Sequence, residues 1–245
     1  MIPRDITAQA YFTSSHWRSV VNKVKERWEE GYSITDFDYG DDTYVVIMSK
    51  VSEWSDQTIK ISKSFPTEEI QEGWDEGYSV TNMLYDGTDW IVVMTNVEYV
   101  VGQSVKTNFS YESLRRGLQD GWDEDMMVTK LCSQLTRSLD KMVVVMSEFF
   151  DCSQDQSLHL LRGDVTPNEI GNAFSGDKFV TDLYDFGSGL MVVASSNTEW
   201  DSMIITCSAT VDGMVEKIDE KWQDDYFVTT VAYYNGYWYV VYGTK

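Results

Sequence analysis

The chain has 245 residues and carries 19 Lys and Arg against 40 Asp and Glu, a formal net charge of −21. This balance argues against direct binding to nucleic acid, because phosphates attract the opposite charge. Hydrophobic residues make up 42 % of the chain, which excludes intrinsic disorder, and no apolar run approaches the roughly 20 residues that span a bilayer.

An internal repeat organises the chain. The segment that begins at Gly31 recurs from Gly77, and three fainter copies follow. One threonine marks each copy, at spacings of 46, 48, 52 and 48 residues: Thr35, Thr81, Thr129, Thr181 and Thr229. A small residue follows each threonine at a similar distance: Ser49, Thr95, Ser147, Ser195 and Gly243. Five copies in register predict five similar structural units.

Each copy predicts the same series of elements. The β-branched and aromatic residues around the threonine favour a strand. A turn follows, as at Asp86-Gly87 and Asn235-Gly236, and then a short apolar run typical of a strand covered on both faces. A third strand comes next, and apolar residues four apart, such as Ile70 and Trp74, then predict an amphipathic helix.

We therefore predict a mainly β protein with short helices, a closed five-bladed β-propeller-like ring forming a single domain over residues 1–245. Each repeat of about 49 residues supplies three strands and one helix. The last copy ends after its second strand, so we expect the N-terminal segment to complete the last blade and leave no open sheet edge. The predicted blades span residues 31–74, 77–122, 125–174, 177–222, and 225–245 with 1–28.

These repeats resemble the C-terminal repeat region of plant casein-kinase-I-like nuclear kinases. The shared pattern is GY-x-VT, a W-x-VVMS-type strand, Asp-Gln, and F-P-x-E-x-I-x-x-x-W, carried best by residues 77–95 and 45–74. The resemblance implies a repeat fold, while its motifs are structural and assign no functional residue. The kinase half is absent, since no Gly-rich loop, lysine strand or H-R-D loop occurs. Asp185-Phe186-Gly187 stands where every copy has a hairpin turn, so we expect a turn there.

The chemistry of an enzyme is hard to find in this sequence. With only His16 and His159 and no nucleophile elbow, we predict no catalytic residue, no metal site and no cofactor. One alternative is a glycosidase that uses Asp36 and Asp182, which follow marker threonines on the predicted axial strands. A calcium site at Asp36-Asp38-Asp41-Asp42 is disfavoured, because these acids lack the loop pattern of calcium-binding motifs.

Localisation follows from two absences in the sequence. The segment MIPRDITAQAYF has neither the basic nor the apolar region of a signal peptide. Three cysteines (Cys132, Cys152 and Cys207) are too few for a disulfide framework. We expect an intracellular protein, cytoplasmic or nuclear, without membrane insertion.

A candidate ligand-binding face follows from the alternating strand directions. The loop into the first strand of a blade and the loop after its second strand should lie on one side. The loops into the first strands, at or just after helix ends, carry acids: Glu29, Glu30, Asp75, Glu76, Asp123, Glu124, Asp224 and Asp225. The loops after the second strands carry aromatics: Trp54, Tyr99, Phe149, Phe150 and Trp200. Polar residues of the third strands complete the candidate face: Asp56, Gln57, Gln103 and Gln156.

Two function classes use this face. The first is a non-catalytic protein-interaction platform that binds a partner, with a basic segment favoured by the sign of the field. The second is a carbohydrate-binding lectin, in which the aromatics stack on sugar rings. A glycosidase and an accessory subunit of a larger assembly are further alternatives.

Overall fold

The computed structural model describes residues 5–108, 110–135, 140–150, 155–174, 177–196 and 198–245. Within the described residues no helix is both long and apolar enough to cross a membrane. The elements follow one another in a regular order: β1 (Ile6–Ser14), α1 (Trp17–Glu29), β2 (Ser33–Gly40), β3 (Thr43–Val51), β4 (Trp54–Ser62), α2 (Thr67–Asp75), β5 (Ser79–Tyr85), β6 (Trp90–Val97), β7 (Val100–Asn108), α3 (Tyr111–Trp122), β8 (Met127–Leu135), β9 (Asp140–Phe149), β10 (Gln156–Leu161), α4 (Pro167–Asn172), β11 (Phe179–Asp185), β12 (Leu190–Ser195), β13 (Ser202–Ser208), α5 (Val211–Gln223), β14 (Phe227–Tyr234) and β15 (Tyr237–Thr244).

The strands form five three-stranded antiparallel sheets, which confirms the predicted number and composition of the repeats. Their strand orders are β1-β3-β2, β4-β6-β5, β7-β9-β8, β10-β12-β11 and β13-β15-β14. In each sheet the strand before the helix is here called the leading strand, the strand after the helix the following strand, and the strand between them the central strand. The sheets are numbered one to five in chain order.

The predicted grouping of strands is wrong. The N-terminal strand β1 pairs with β3, for example Tyr11 with Ile47, and does not complete a sheet with the C-terminal hairpin. That hairpin takes β13 instead, with Ile205 opposite Val241. The physical reason is that each central strand already has a partner on both edges, so the strand after it pairs in the next sheet. The sheets therefore span Ile6–Val51, Trp54–Val97, Val100–Phe149, Gln156–Ser195 and Ser202–Thr244.

The marker threonine is the extra residue of a β-bulge in every following strand. The register shifts at this residue in all five sheets, as between Val80 and Asn82 around Thr81. Its hydroxyl bonds the central strand instead, since Thr81 Oγ1 lies 3.4 Å from the Val93 carbonyl and 2.7 Å from Thr95 Oγ1. The same two contacts recur at Thr35, Thr129 and Thr181. A recurring threonine thus supplies a hydroxyl where the backbone ladder is interrupted.

A glutamine on the leading strand extends this hydroxyl pair. The side-chain amide donates to the central-strand hydroxyl in four sheets: from Gln9 to Ser49, from Gln57 to Thr95, from Gln103 to Ser147 and from Gln156 to Ser195, at 2.9–3.0 Å. These buried or half-buried groups form a polar row across three strands, made of the bulge threonine, the Ser or Thr of the central strand and the glutamine of the leading strand. The row fixes the register of the sheet, because one residue of slippage would leave its members unpaired.

Gln103 also joins its own sheet to the one before it. Its amide oxygen accepts from the Val80 N–H (2.6 Å) and from the Trp74 indole N–H (2.9 Å), and its amide nitrogen donates to the Val80 carbonyl (2.9 Å). Gln103 therefore hydrogen-bonds the backbone of a neighbouring sheet as an extra strand residue would. Gln9 makes the same contacts with Val228 and Trp222.

The chain divides into two compact units. One unit comprises Glu53–Gln154 and contains sheets two and three; the other comprises Ile2–Ser52 and Asp155–Lys245 and contains sheets four, five and one. In the second unit Val45 and Ile47 of sheet one pack with Met214 of α5 and with the apolar residues of sheet five. Lys245 Nζ lies 4.0 Å from an Asp5 carboxylate oxygen. Asp5 and Lys245 thus lie close together, although the strands next to them belong to different sheets.

Sheet five replaces the polar row with packed side chains. Gly243 stands at the position of the central-strand hydroxyl, and a Cβ there would lie 2.6 Å from the Trp200 ring. Met203 is paired with Gly243, at the position of the glutamine, and its sulfur accepts from the Val180 N–H at 3.2 Å. The close approach of Trp200 thus explains why the fifth copy has glycine where the others have Ser or Thr.

We expect Gln103→Leu to lower the free energy of unfolding by about 2–4 kcal/mol, because it leaves the Val80 backbone groups and the Trp74 N–H buried without this partner. Urea denaturation measures the change. Gln119→Leu is the control, because Gln119 is exposed and donates to Asp123 on the same helix. An equal effect of the two substitutions would contradict the role assigned to Gln103.

Candidate functional site

The register of each sheet determines which loops lie together. In sheet two Ser79, the first residue of the following strand, is opposite Thr95 near the end of the central strand, and Gln57 near the start of the leading strand is opposite the same Thr95. The helix end and the loop into the following strand therefore share one edge of the sheet with the end of the central strand. We call this edge the helix-end edge. The hairpin turns lie at the opposite edge, as the sequence predicts.

The predicted acidic residues lie at the helix-end edges. Glu29 and Asp75 are the last residues of their helices, and Glu30, Glu76, Asp123 and Asp224 are the C-cap residues. Glu124 and Asp225 follow two of these C-cap residues, and all eight predicted acids are exposed. Glu30 lies 2.5 Å from Arg27 and Asp224 lies 3.2 Å from Lys221, each pair within one helix end. Asp75 and Asp123 accept from glutamine side chains four residues earlier.

Four helices end in the same left-handed backbone turn. After α2, the Tyr78 N–H bonds the Gly73 carbonyl and the Gly77 N–H bonds the Trp74 carbonyl, with Gly77 at φ +85°. This is the Schellman motif, which favours glycine because an L-residue with positive φ is strained. Gly31 holds the same position after α1, but aspartates hold it after α3 and α5: Asp125 at φ 59° and Asp225 at φ 61°.

The left-handed backbone and the negative charge of Asp125 and Asp225 both lower the local stability of the helix end. A non-glycine residue in the left-handed region costs up to about 1–2 kcal/mol, less for Asp than for most residues. A negative charge at a helix C-terminus costs about 0.3–1 kcal/mol more at an exposed site. The fold accepts glycine at this position, as Gly31 and Gly77 show. The aspartates are therefore not required by the turn.

Two of the predicted aromatics are buried and do not form a binding surface. Trp54 is 6 % exposed and Trp200 is 5 % exposed. Trp54 begins β4, and Trp200 lies two residues before β13. Each stands three residues before Gln57 or Met203, the position that the buried Ile6 holds before Gln9 in sheet one. Their role is packing, which the sequence could have indicated through this alignment with Ile6. The Trp54 indole N–H also donates to the Tyr99 hydroxyl at 3.2 Å.

The other aromatics lie together at the helix-end edge of sheet three. The rings of Tyr99 and Phe149 stack with centroids 5.9 Å apart, and both side chains are half-buried. The Phe150 N–H donates to the Tyr99 carbonyl at 2.9 Å, while the Phe150 side chain is 73 % exposed. Of the predicted aromatic residues, Phe150 is the one with a freely accessible ring.

The predicted polar residues of the leading strands have mainly structural partners. Gln57, Gln103 and Gln156 belong to the buried polar rows described above. Asp56 is exposed, and its carboxylate accepts from the Tyr78 hydroxyl at 2.7 Å. This hydrogen bond raises the pKa of Tyr78, because loss of the phenol proton would place two anions together. The contact also brings the loop that leads into β5 against the start of β4.

The carboxylates of the glycosidase alternative are buried. Asp36 is 4 % exposed, and its carboxylate accepts from the Thr230 hydroxyl (2.8 Å) and from the Val231 N–H (2.7 Å) of sheet five. The equivalent residue in sheet four, Asp182, is 3 % exposed. Asp36 thus connects two following strands and has a structural role that the sequence did not indicate.

The four aspartates considered as a calcium site, Asp36, Asp38, Asp41 and Asp42, lie in different environments. Asp38 accepts from the Tyr233 N–H at 2.7 Å, whereas Asp41 and Asp42 are exposed in the hairpin turn with φ of 47° and 54°. Across the described ranges, no group of three or more His, Cys, Asp or Glu side chains is arranged to hold a metal ion. The Asp185-Phe186-Gly187 triplet lies in a hairpin turn, with the Gly187 N–H bonded to the Asp185 side chain at 2.6 Å.

Residues 4–185 match the model of a protein family described as a domain of unknown function, DUF7477. The match covers well over half of the 245 residues. The chain belongs to the DUF7477 family. No curated protein matches it. The family description assigns no activity, so the function of this DUF7477 chain has to be argued from its residues.

We expect Asp225→Gly to raise the free energy of unfolding by about 0.5–1 kcal/mol, because it removes a left-handed L-residue and a negative charge at a helix C-terminus. Thermal and urea denaturation of the DUF7477 chain measure the change. Asp224→Gly is the control, because Asp224 has φ −96° and is paired with Lys221. If the two variants were equally stable, the assigned backbone strain at Asp225 would be wrong.

Proposed function

We propose that this protein is a non-catalytic interaction platform that binds a basic segment of a partner protein on its helix-end edges. The observation that carries the proposal is the position of Asp125 and Asp225. These exposed acids replace glycine in a left-handed turn at a helix C-terminus, against both the backbone and the dipole preference. Residues that cost stability while serving no contact of the fold are typical of binding surfaces.

The charge of the whole chain supports the same choice of partner. A net charge of −21 produces a negative potential that attracts a cationic segment and raises its association rate. Exposed carboxylates at the helix ends would then contact the Lys and Arg side chains of that segment. Such contacts are weakened by salt, because exposed charges are screened within about 8–10 Å at physiological ionic strength.

The other function classes receive less support from the geometry. A lectin needs exposed ring faces, whereas Trp54 and Trp200 are buried. A glycosidase needs carboxylates that can reach substrate, whereas Asp36 is buried and bonded to sheet five. An accessory subunit of a larger assembly is compatible with the platform, since its partner would then be another subunit.

The proposal is tested with a fluorescein-labelled octalysine peptide and fluorescence anisotropy. We expect binding that weakens steeply between 50 and 300 mM salt, on the order of tenfold or more for several ion contacts. Asp224→Asn with Asp225→Asn should lower the affinity about threefold to tenfold at low salt, because two exposed charges of the helix-end edge are lost.

The matched control is Asp41→Asn with Asp42→Asn. It removes two charges from exposed acids of the hairpin edge, so that the change in net charge is the same. Asn tolerates positive φ, so neither double variant strains the turn. Equal losses in the two double variants, or binding that ignores salt, would overturn the proposal.

We further propose the closed five-bladed ring that the repeat predicts. Gln103 joins a helix tryptophan, Trp74, to an apolar residue of the following strand, Val80. The support for the ring is that the same types of residue recur at the equivalent positions of the sequence: Trp28, Ile34 and Gln57 in one set, and Trp122, Val128 and Gln156 in another. The resemblance to the kinase-associated repeats and the intracellular location remain predictions, as the closed ring does.

In a closed ring Gln57→Leu and Gln156→Leu should each destabilise the protein by about as much as Gln103→Leu, some 2–4 kcal/mol, because each glutamine would bridge two sheets. Urea denaturation of the three variants provides the comparison. A loss near 1 kcal/mol at residues 57 and 156, the value of a single hydrogen bond, would argue against closure.

A further inference from the structure

Sheet three exposes apolar side chains at its helix-end edge. Phe150 is 73 % exposed and Val101 is 55 % exposed, two of the four exposed large hydrophobic side chains among the described residues. Phe150 follows Phe149, which pairs with Val100, and the bulge at Val101 turns that side chain outward. The two side chains therefore lie at one end of the β7–β9 pair, beside the stacked rings of Tyr99 and Phe149.

The fold does not require this exposure, as the other repeats show. The positions equivalent to Phe150 hold Ser52, Glu98 and Thr198 in sheets one, two and four, while the given sequence has no equivalent residue for sheet five. The positions equivalent to Val101 hold Thr7, Ser55, Gln154 and Asp201. Both positions are polar wherever another copy has an equivalent residue, so the apolar character belongs to sheet three alone. Exposed apolar side chains clustered in this way are typical of interaction sites.

Exposed carboxylates lie at the same edge of the sheet as Phe150. Glu98 precedes Tyr99 and Glu148 lies two residues before Phe150; both are exposed. Glu148 is paired with Gly102, where its carboxylate lies 3.1 Å from the place that a Cβ would occupy. By register, Met127 is opposite Ser147, which brings the exposed acids 123–125 to the same edge. Among side chains, arginine best complements an aromatic face with acids at its border.

The chemistry of arginine explains this preference. Its planar guanidinium stacks on an aromatic ring and still directs N–H groups outward to carboxylates. Lysine has a compact, strongly hydrated charge that matches such a surface less well. A purely apolar segment would leave the surrounding carboxylates without a partner.

We propose that Phe150, with Tyr99 and Glu148, forms the anchor site for an arginine of the bound partner, so that the platform prefers arginine-rich to lysine-rich segments. The inference rests on the proposed function, because it names the partner chemistry of the same acidic edges. It assigns to sheet three a role in specificity that the other four sheets do not have.

The test compares labelled octaarginine and octalysine peptides, which carry the same charge, by fluorescence anisotropy at low salt. We expect octaarginine to bind more tightly to the unaltered protein. Phe150→Ala should lower the octaarginine affinity about fivefold, the scale of an exposed cation–π contact, and should change the octalysine affinity less. Phe150→Trp keeps an aromatic face and should retain or strengthen octaarginine binding.

Tyr237→Ala is the control, because Tyr237 is an exposed aromatic residue (44 %) at a hairpin turn, away from the helix-end edge. It should leave both peptides unaffected. Equal binding of the two peptides, or an octaarginine affinity unchanged by Phe150→Ala, would overturn the arginine site while salt-dependent binding still supported the platform. Failure of both peptides to bind would overturn both proposals.

Discussion

A buried row of hydroxyl and amide groups crosses four of the five sheets at the same level. It begins with the threonine of the bulge, passes through a Ser or Thr of the central strand and ends at a glutamine amide, as in Thr81, Thr95 and Gln57. The surrounding core is rich in Val, Ile and Met, and apolar contacts have no direction and would tolerate a shifted register. Hydrogen bonds in a low-dielectric interior do not tolerate such a shift, because a lost partner is costly there.

In these four sheets the positions of the surface loops depend on this row. Once the register is fixed, the helix ends, the ends of the central strands and the starts of the leading strands share one edge of each sheet. That edge can then vary in sequence while the scaffold stays constant, which is the usual arrangement of binding surfaces. Asp125 and Asp225 illustrate the point, because the turn tolerates their strain while the packed strands behind it supply the stability.

The repeats also serve as controls for one another. Sheet five has lost the row, and its Gly243 and Trp200 show that close packing can replace hydrogen bonds at the same place. Sheet three has kept the row and differs at its edge, where Phe150 stands in place of a polar residue. Differences of the first kind alter how a sheet is held together, and differences of the second kind alter what its surface can bind.

The sequence by itself determined the number of repeats, the hairpins and the helices, since these follow from local periodicity, turn residues and the spacing of the threonines. It also sorted the loops correctly onto two edges, because antiparallel strands alternate in direction. Only the tertiary structure decided that β1 pairs with β3, because a strand with the same spacing to two hairpins can join either. Burial of Trp54 and Trp200, and the use of Gln103 and Asp36 as connections between sheets, were likewise decided by neighbours distant in the chain, which no local pattern records.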